Sequence, residues 1–314
     1  MNDFINYLQK RGFSPSTQKT TLRTVNHFFG TSSHGQTEDL NTTPKDILNY
    51  LERLKKEGKQ STTRNLYLRA VRYYFAFLLD SGQIASNPAN FIKIRGLKRR
   101  TLYKVFTADE LTRLADDYYH TFIRNFELEH IPESLQQYAN LSRQRNYCML
   151  TFLVYQGLST NELNKIAIDD IDLIKATVKI SAGGRTNART LRLKAEQIGV
   201  LMHYAQNVRP QLLEHYTEET DLFFLLSSKP GYTRKAQEKY GNTFHHFKTQ
   251  LQGINAGFTG FMQIRTSVIT GWIQTEGLRK AQYYAGHRYI SSTENYLPND
   301  TEQLSDDIEK YNPF

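Results

Sequence analysis

The sequence predicts a mainly α-helical protein in two domains, the second carrying a small three-stranded antiparallel sheet. Three observations carry that expectation: helical periodicity through the first hundred residues, a cation-rich break after them, and two short alternating runs flanking a glycine turn. The chain has 314 residues, 39% hydrophobic and 12% aromatic, enough apolar material to bury a core. Its one cysteine, Cys148, excludes an intramolecular disulfide framework or a cysteine-built zinc cluster, and reads as a small buried hydrophobe. The longest apolar runs, such as Tyr73 to Leu79, fall far short of the ~20 residues of a membrane helix. Met1-Asn-Asp-Phe4 shows no secretory signal, so a reducing, cytoplasmic setting is expected.

The helices follow in order. Ser16 to Phe29 carries apolar residues at 22, 25, 28 and 29, one helix face. Pro44 to Leu54 repeats the pattern at 47, 48, 51 and 54, with Thr43 as N-cap and Pro44 at the first helical position. Ser61 to Leu79 gives a third helix with Leu66, Leu68, Val71, Phe75 and Leu79 on its apolar side. Its other side carries Arg64, Arg69 and Arg72, interleaved with Tyr67, Tyr73 and Tyr74. That pattern suits phosphate contacts with aromatic packing on sugar or base, and suits a plain helix surface equally well.

Ser86-Asn-Pro-Ala-Asn90 ends this region, and Lys93 to Lys104 reads as a linker with six cationic side chains, Lys98, Arg99 and Arg100 among them. The expected domains are 1–97, a linker at 98–106, and 107–314, the last opening on a capping box, Thr107-Ala-Asp-Glu110. Residues 1–106 hold 18 Lys and Arg against 7 Asp and Glu, while the other 208 hold 22 against 24. The surplus behind the formal net charge of +9 therefore lies in the first third. Such a block favours an anionic partner, most commonly a phosphate backbone, over a merely solvated basic surface.

The second domain reads as helical through Leu158, with a polar insertion around Glu127 to Gln137. Ala176 to Ser181 and Ala188 to Leu193 alternate around Gly183-Gly-Arg-Thr-Asn187, a hairpin, and Ile166 to Leu173 could supply the third strand. From Ala195 onward the periodicity is helical again, including an amphipathic helix over Thr266 to Ile273 opened by Gln263-Ile-Arg265. His245 and His246 are adjacent in a helix and so on different faces, which is poor metal geometry and reads as core plus surface.

The strongest chemical signal lies near the C-terminus: Ala285-Gly-His287, then Ser292-Thr-Glu-Asn-Tyr296, with Arg265 upstream. A tyrosine can attack phosphorus as a phenolate, provided cations and hydrogen-bond donors stabilise charge on the phosphoryl oxygens.

On these residues the chain resembles the tyrosine recombinase (phage integrase) family over nearly its whole length. The first domain looks like that family's helical, SAM-like core-binding domain, and the second like its catalytic domain. Gly157-Leu-Ser-Thr-Asn-Glu-Leu163 is similar to the box normally read Gly-Leu-Arg-x-x-Glu-Leu, and Asp169-Asp-Ile-Asp172 with the hairpin resembles the family's sheet. The resemblance implies Tyr296 as nucleophile, with Arg265 and His287 as catalytic partners. Three positions depart from it: Ser159 stands for the first catalytic arginine, Met262 for a histidine, and Gly184 for the general-acid lysine. Serine in place of that arginine resembles integrases of Bacteroidetes mobile elements. Compensation is expected from Arg185 as substitute cation and Lys179 as general acid, with Arg189 and Lys165 as further candidates.

The implied function is a site-specific DNA recombinase or integrase of a mobile element, working through a 3′-phosphotyrosyl intermediate without metal or cofactor. Its partners would be double-stranded DNA, gripped through Arg64, Arg69, Arg72 and the linker cations, and other copies of itself, a tetramer on two DNA sites. The tail, 302–314, would supply contacts through Ile308, Tyr311 and Phe314, either to a neighbour or back onto its own domain. The expected location is the cytoplasm, on the nucleoid. Two alternatives stand beside it: a DNA-binding protein that kept the fold and lost the chemistry, and a type IB topoisomerase-like activity.

Overall fold

Caps and apolar stripes set the helices of the first third of the chain: α1 (Asn2–Lys10), α2 (Pro15–Thr31), α3 (Pro44–Lys56) and α4 (Ser61–Asp80). The structure is a computed structural model that describes residues 2–31, 39–96, 103–127, 129–184, 186–235 and 240–297. It divides into two units, Met1–Thr101 and Leu102–Phe314. Lys98, Arg99, Arg100, Arg185 and the tail 302–314 lie outside the described residues.

In the first unit α4 packs against α1, α2 and α3. Thr43 caps α3 in a reciprocal box with Asp46, and Pro44 occupies the first turn. The core is aromatic-rich: Phe4 of α1 meets Tyr74 of α4 edge-on, ring centroids 5.2 Å apart. Helix α1 has no counterpart in the sequence reading; Phe4 and Leu8, both buried, bind it to the core.

Helix faces differ from expectation at four positions. Leu48, Leu66 and Leu79 are 51%, 61% and 40% exposed, while Tyr74, expected beside the arginines, is buried. The stripe of α4 runs through Leu68, Val71, Tyr74, Phe75 and Leu78. Leu66 lies two residues from that stripe, and at about 100° per residue its side chain turns to the far side of the helix, while Leu79 stands at the edge of the stripe in the last turn of α4.

The second unit starts with α5 (Ala108–Tyr119), capped by the Thr107–Glu110 box and continued by a π turn, His120–Arg124. Then comes α6 (Glu133–Gln156), buried on nearly all sides from Arg145 onward and packed against α5. Next follow α7 (Thr160–Leu163), β1 (Ile171–Asp172), β2 (Thr177–Ile180) and β3 (Arg189–Arg192). The strands form one antiparallel sheet in the order β1-β2-β3, with Val178 opposite Leu191 and Ile180 opposite Arg189. Strand β1, expected over Ile166 to Leu173, is only two residues long. Asp170 accepts a hydrogen bond from the Ala167 amide (2.9 Å), closing a 3₁₀ turn over Ile168–Asp170 where a longer strand was expected.

The chain continues through α8 (Ala195–His203), a second π turn, α9 (Arg209–Leu213), α10 (Gly241–Ile254), α11 (Phe261–Ala285) and α12 (Ile290–Glu294). Residues 214–235, expected to be helical, contain no helix. Arg209 holds the carbonyls of Thr220 and Leu222, and residues 215–217 pair with Arg234 instead. Helix α11 is buried continuously from Gln263 to Thr270 rather than amphipathic, because it runs against α5 and α6 through the middle of the unit. It breaks at Gly277, whose φ of 79° leaves the helical region. Cys148 is buried in this core. Among the described residues no helix is long and apolar enough to cross a membrane.

Candidate active site

Ser159 is the N-cap of α7. Its amide and hydroxyl both donate to Glu162 Oε2 at 2.8 Å, while the Glu162 amide donates back to Ser159 Oγ. Ser159 thus orients the next acidic side chain. Glu162 is nine-tenths buried and joins two guanidinium groups. Arg189 Nη1 reaches Oε1 at 2.7 Å and Arg265 Nη1 reaches Oε2 at 3.1 Å.

Each arginine is also tied to backbone carbonyls that mark helix ends. Arg265 donates to Gly157 O, past the end of α6, and to Ala285 O, at the end of α11. Arg189 Nε donates to Tyr284 O at 2.6 Å, and its Nη2 is buried with no hydrogen-bond partner. Close approach by Arg189 needs a glycine at 286: a Cβ there would stand 2.4 Å from Arg189 Nη1, and its φ is 71°. The hairpin that carries Arg189 docks on the same turn. Thr186 pairs with His287, and the Asn187 amide donates to Gly286 O at 2.8 Å.

Burial by itself raises the pKa of Glu162, but Arg265 and Arg189, with the hydrogen bonds from Arg189 and Ser159, hold it below its ordinary value. His287 is pushed the other way for a base. Burial first, then the charges of Arg265 and Arg189, lower it to about 4, so the ring is neutral at pH 7. Its Nδ1 lies 2.9 Å from the buried Thr293 Oγ1. The imidazole stacks on the Tyr296 ring, centroids 5.6 Å apart and planes 19° from parallel. Tyr296 itself is half-buried just beyond α12, its amide donating to Thr293 O.

The structure therefore brings Arg265, His287 and Tyr296 to one place. It adds Glu162, Arg189, Gly286 and Thr293, to which the sequence reading gave no catalytic role beyond Arg189 as a reserve cation. Lys179 is exposed on β2 and faces a cavity of about 230 Å³ whose walls include Ser159, Glu162, Lys165 and Gly184. Met262 is 49% exposed on the first turn of α11. Two of the missed roles had a signal. Ser159-Thr-Asn-Glu162 has the capping-box pattern, and strand alternation puts Arg189 on the inward face with Leu191.

In the first unit, Arg64 is half-buried and Arg69 exposed. Arg72 holds a turn: it donates to Ala89 O and Ile92 O at 3.2 and 2.7 Å, and Asn87 donates to its carbonyl. His245 and His246 are both exposed on α10, instead of one in the core, because Phe247 and Leu251 supply that helix's buried side.

Residues 1–82 match the phage integrase N-terminal SAM-like domain, and residues 121–303 match the phage integrase family. The tyrosine recombinase XerD of Listeria innocua is 24% identical over 318 residues, spanning 100% of this chain and 98% of that protein. XerA of Pyrococcus furiosus is 24% identical over 316 residues, spanning 99% and 93%. Among solved structures, the Tn1549 transposon integrase in complex with a circular intermediate DNA aligns with a TM-score of 0.66 at 15% identity, covering 96% of this chain and 97% of that one. A lambda integrase dimer bound to a core site gives 0.61 at 15%, covering 95% and 94%. At that identity the likeness is one of fold. With both family domains matched in order and the second spanning more than half of the sequence, the chain belongs to the phage integrase family, the tyrosine recombinases.

Proposed function

We propose that the protein is a site-specific DNA recombinase in which Tyr296 attacks the scissile phosphate. The phenolic oxygen forms a 3′-phosphotyrosyl bond as the bond to the 5′ oxygen breaks, and that oxygen leaves with a proton from Lys179. Neutral His287 takes the phenolic proton. Arg265 stabilises charge on the phosphoryl oxygens, and Arg189 replaces the missing arginine as the second cation, so that two guanidinium charges face one carboxylate. A hydroxyl of the exchanged strand reverses the bond, which conserves its energy.

The observation that carries this reading is the Glu162 clamp on Arg189 and Arg265 beside a histidine stacked on Tyr296. The basic first unit supports duplex DNA as the partner, with Arg64 and Arg69 as contacts and Lys98, Arg99 and Arg100 beyond them. The relatives' names and the DNA-bound structures support recombination between paired sites, by a tetramer acting on DNA in the cytoplasm. A mobile-element role extends the same reading. The changes at Ser159, Gly184 and Met262 favour a second one, a DNA-binding protein without chemistry.

Covalent trapping on nicked duplexes drawn from the DNA flanking the gene separates the two. An SDS-resistant adduct formed by wild type and abolished in Tyr296→Phe is the expected result. Tight binding with no adduct would favour the non-catalytic reading.

A further inference from the structure

A second cationic site lies in the catalytic unit, apart from the Glu162 cluster. A cavity of about 510 Å³ opens between α6, the segment 227–234 and α10. Arg143, Arg145, Lys229, Arg234 and His246 line it, and among the described residues no Asp or Glu does. This runs against the surrounding composition, since residues 107–314 contain more Asp and Glu than Lys and Arg, 24 against 22. Cations gathered without an acid repel one another unless the fold anchors them or an anion neutralises them.

The fold anchors one pair. Buried Arg145 donates to Asn146 Oδ1, Leu225 O and Ser227 Oγ, and Arg234 Nη2 donates to Ser227 O at 3.2 Å. These two build the wall. Arg143 and Lys229 are placed differently, and among the described residues neither forms an ion pair with a carboxylate. The Arg143 guanidinium stands over the Phe126 ring, 3.5 Å from its centroid, and its Nε is buried with no hydrogen-bond partner. Stacking fixes the guanidinium plane, and a fixed fork suits two oxygens of one phosphate. Lys229 is exposed at the rim, and His246 and Asn242 face it from α10. Arg143 is thirteen residues from the end of α6 nearest the Glu162 cluster, about 20 Å at 1.5 Å per residue.

We propose that this cavity is a second phosphate subsite, seating a backbone phosphodiester of the DNA duplex away from the bond that is cut, with Arg143 and Lys229 as its ligands. The identity of the ligand rests on the recombinase reading; the anion site itself rests on the cavity.

The test uses the full chain and nicked duplex DNA, with binding measured between ~50 and ~200 mM salt, adduct yield at saturating duplex, and thermal unfolding. Lys229→Gln alters an exposed side chain and leaves folding intact. Each neutralised contact is expected to weaken affinity roughly three- to tenfold at low salt and to flatten the log–log salt slope by about 0.9. Adduct yield at saturation stays at the wild-type level. Arg143→Lys keeps the slope but not the full affinity, since it keeps charge and loses the fork. A methylphosphonate that weakens wild-type binding at one backbone position has no further effect on the Arg143→Gln/Lys229→Gln double variant. Unchanged affinity and slope in folded variants overturn the proposal. So does competition by inorganic phosphate with every methylphosphonate effect retained in the double variant, which would mark a free-anion site. Absence of adduct from wild type counts against the recombinase reading alone, because the salt slope is read without it.

Discussion

Arg189 and Arg265 are joined through one carboxylate: Glu162 gives Oε1 to the first and Oε2 to the second, at 2.7 and 3.1 Å. One arginine comes from a strand and the other from a helix, and Glu162 fixes both. Ser159 holds the same carboxylate in place, its amide and hydroxyl both donating to Oε2. The serine caps the short helix that aims the clamp.

Glu162→Gln is expected to lower stability by roughly 3–5 kcal/mol, because it leaves two buried guanidinium groups without their shared charge. Thermal unfolding reads this directly. Acid sensitivity gives a second readout. The Glu162 pKa is held below its ordinary value of 4.5, so its contribution is complete above that value and is lost as pH falls through the lower folded one. Below about pH 4.5 wild type should lose stability more steeply than Glu162→Gln.

Arg189→Ala should slow adduct formation by up to ~100-fold, because its fully buried side chain acts on the phosphoryl charge through the Glu162 clamp on Arg265 and not by contact. Ser159→Arg in that background should recover part of the rate by restoring a cation from α7. Alone, Ser159→Arg should cost about 1 kcal/mol through loss of the cap. Gly286→Ala should mimic Arg189→Ala, since its Cβ would stand 2.4 Å from Nη1. A folded Arg189→Ala/Ser159→Arg protein with no recovery would remove Arg189 from the role of substitute.

His287, lowered to about 4, should stay neutral across the physiological range. Its imidazole proton resonances should not titrate between about pH 5.5 and 8, where an ordinary histidine would. A depressed histidine favours the folded state fully above its unfolded pKa of about 6.5 and loses that contribution as pH falls toward the folded value. Wild type should therefore lose stability between pH 6.5 and about 4 more than His287→Gln does. Equal slopes for the two proteins would contradict the burial and charge argument.

A fragment of residues 1–106 should bind duplex DNA by itself with steep salt dependence, since it holds 18 Lys and Arg against 7 Asp and Glu. Affinity unchanged between ~50 and ~200 mM salt would count against the basic unit as a DNA grip. Arg69→Gln should flatten that slope. Arg72→Gln should lower the melting temperature as well, because Arg72 holds the carbonyls of Ala89 and Ile92.

Much of the helical framework was legible because caps and stripes are local. Thr43 with Asp46 and Thr107 with Glu110 form the boxes that their spacing announces. Local pattern failed where burial covers a whole helix, as in Gln263 to Thr270, since periodicity vanishes when every face is inside. It failed again at Leu66 and Leu79, apolar residues that the packing of α4 leaves outside. The alignment of segments around Tyr296, Arg265 and His287 was legible as spacing. The partner of Ser159 was not, although its pattern was in view.

The sequence by itself determined the helical class, the hairpin, the charge asymmetry and the residue types available for phosphate chemistry, because these depend on neighbours a few positions apart. Only the tertiary structure decided that Arg189 and Arg265 meet on Glu162, and that His287 is neutral against Tyr296. Those contacts join residues 27 and 103 positions apart, and the histidine's protonation state follows from burial beside two cations. Neither quantity exists until the chain has folded.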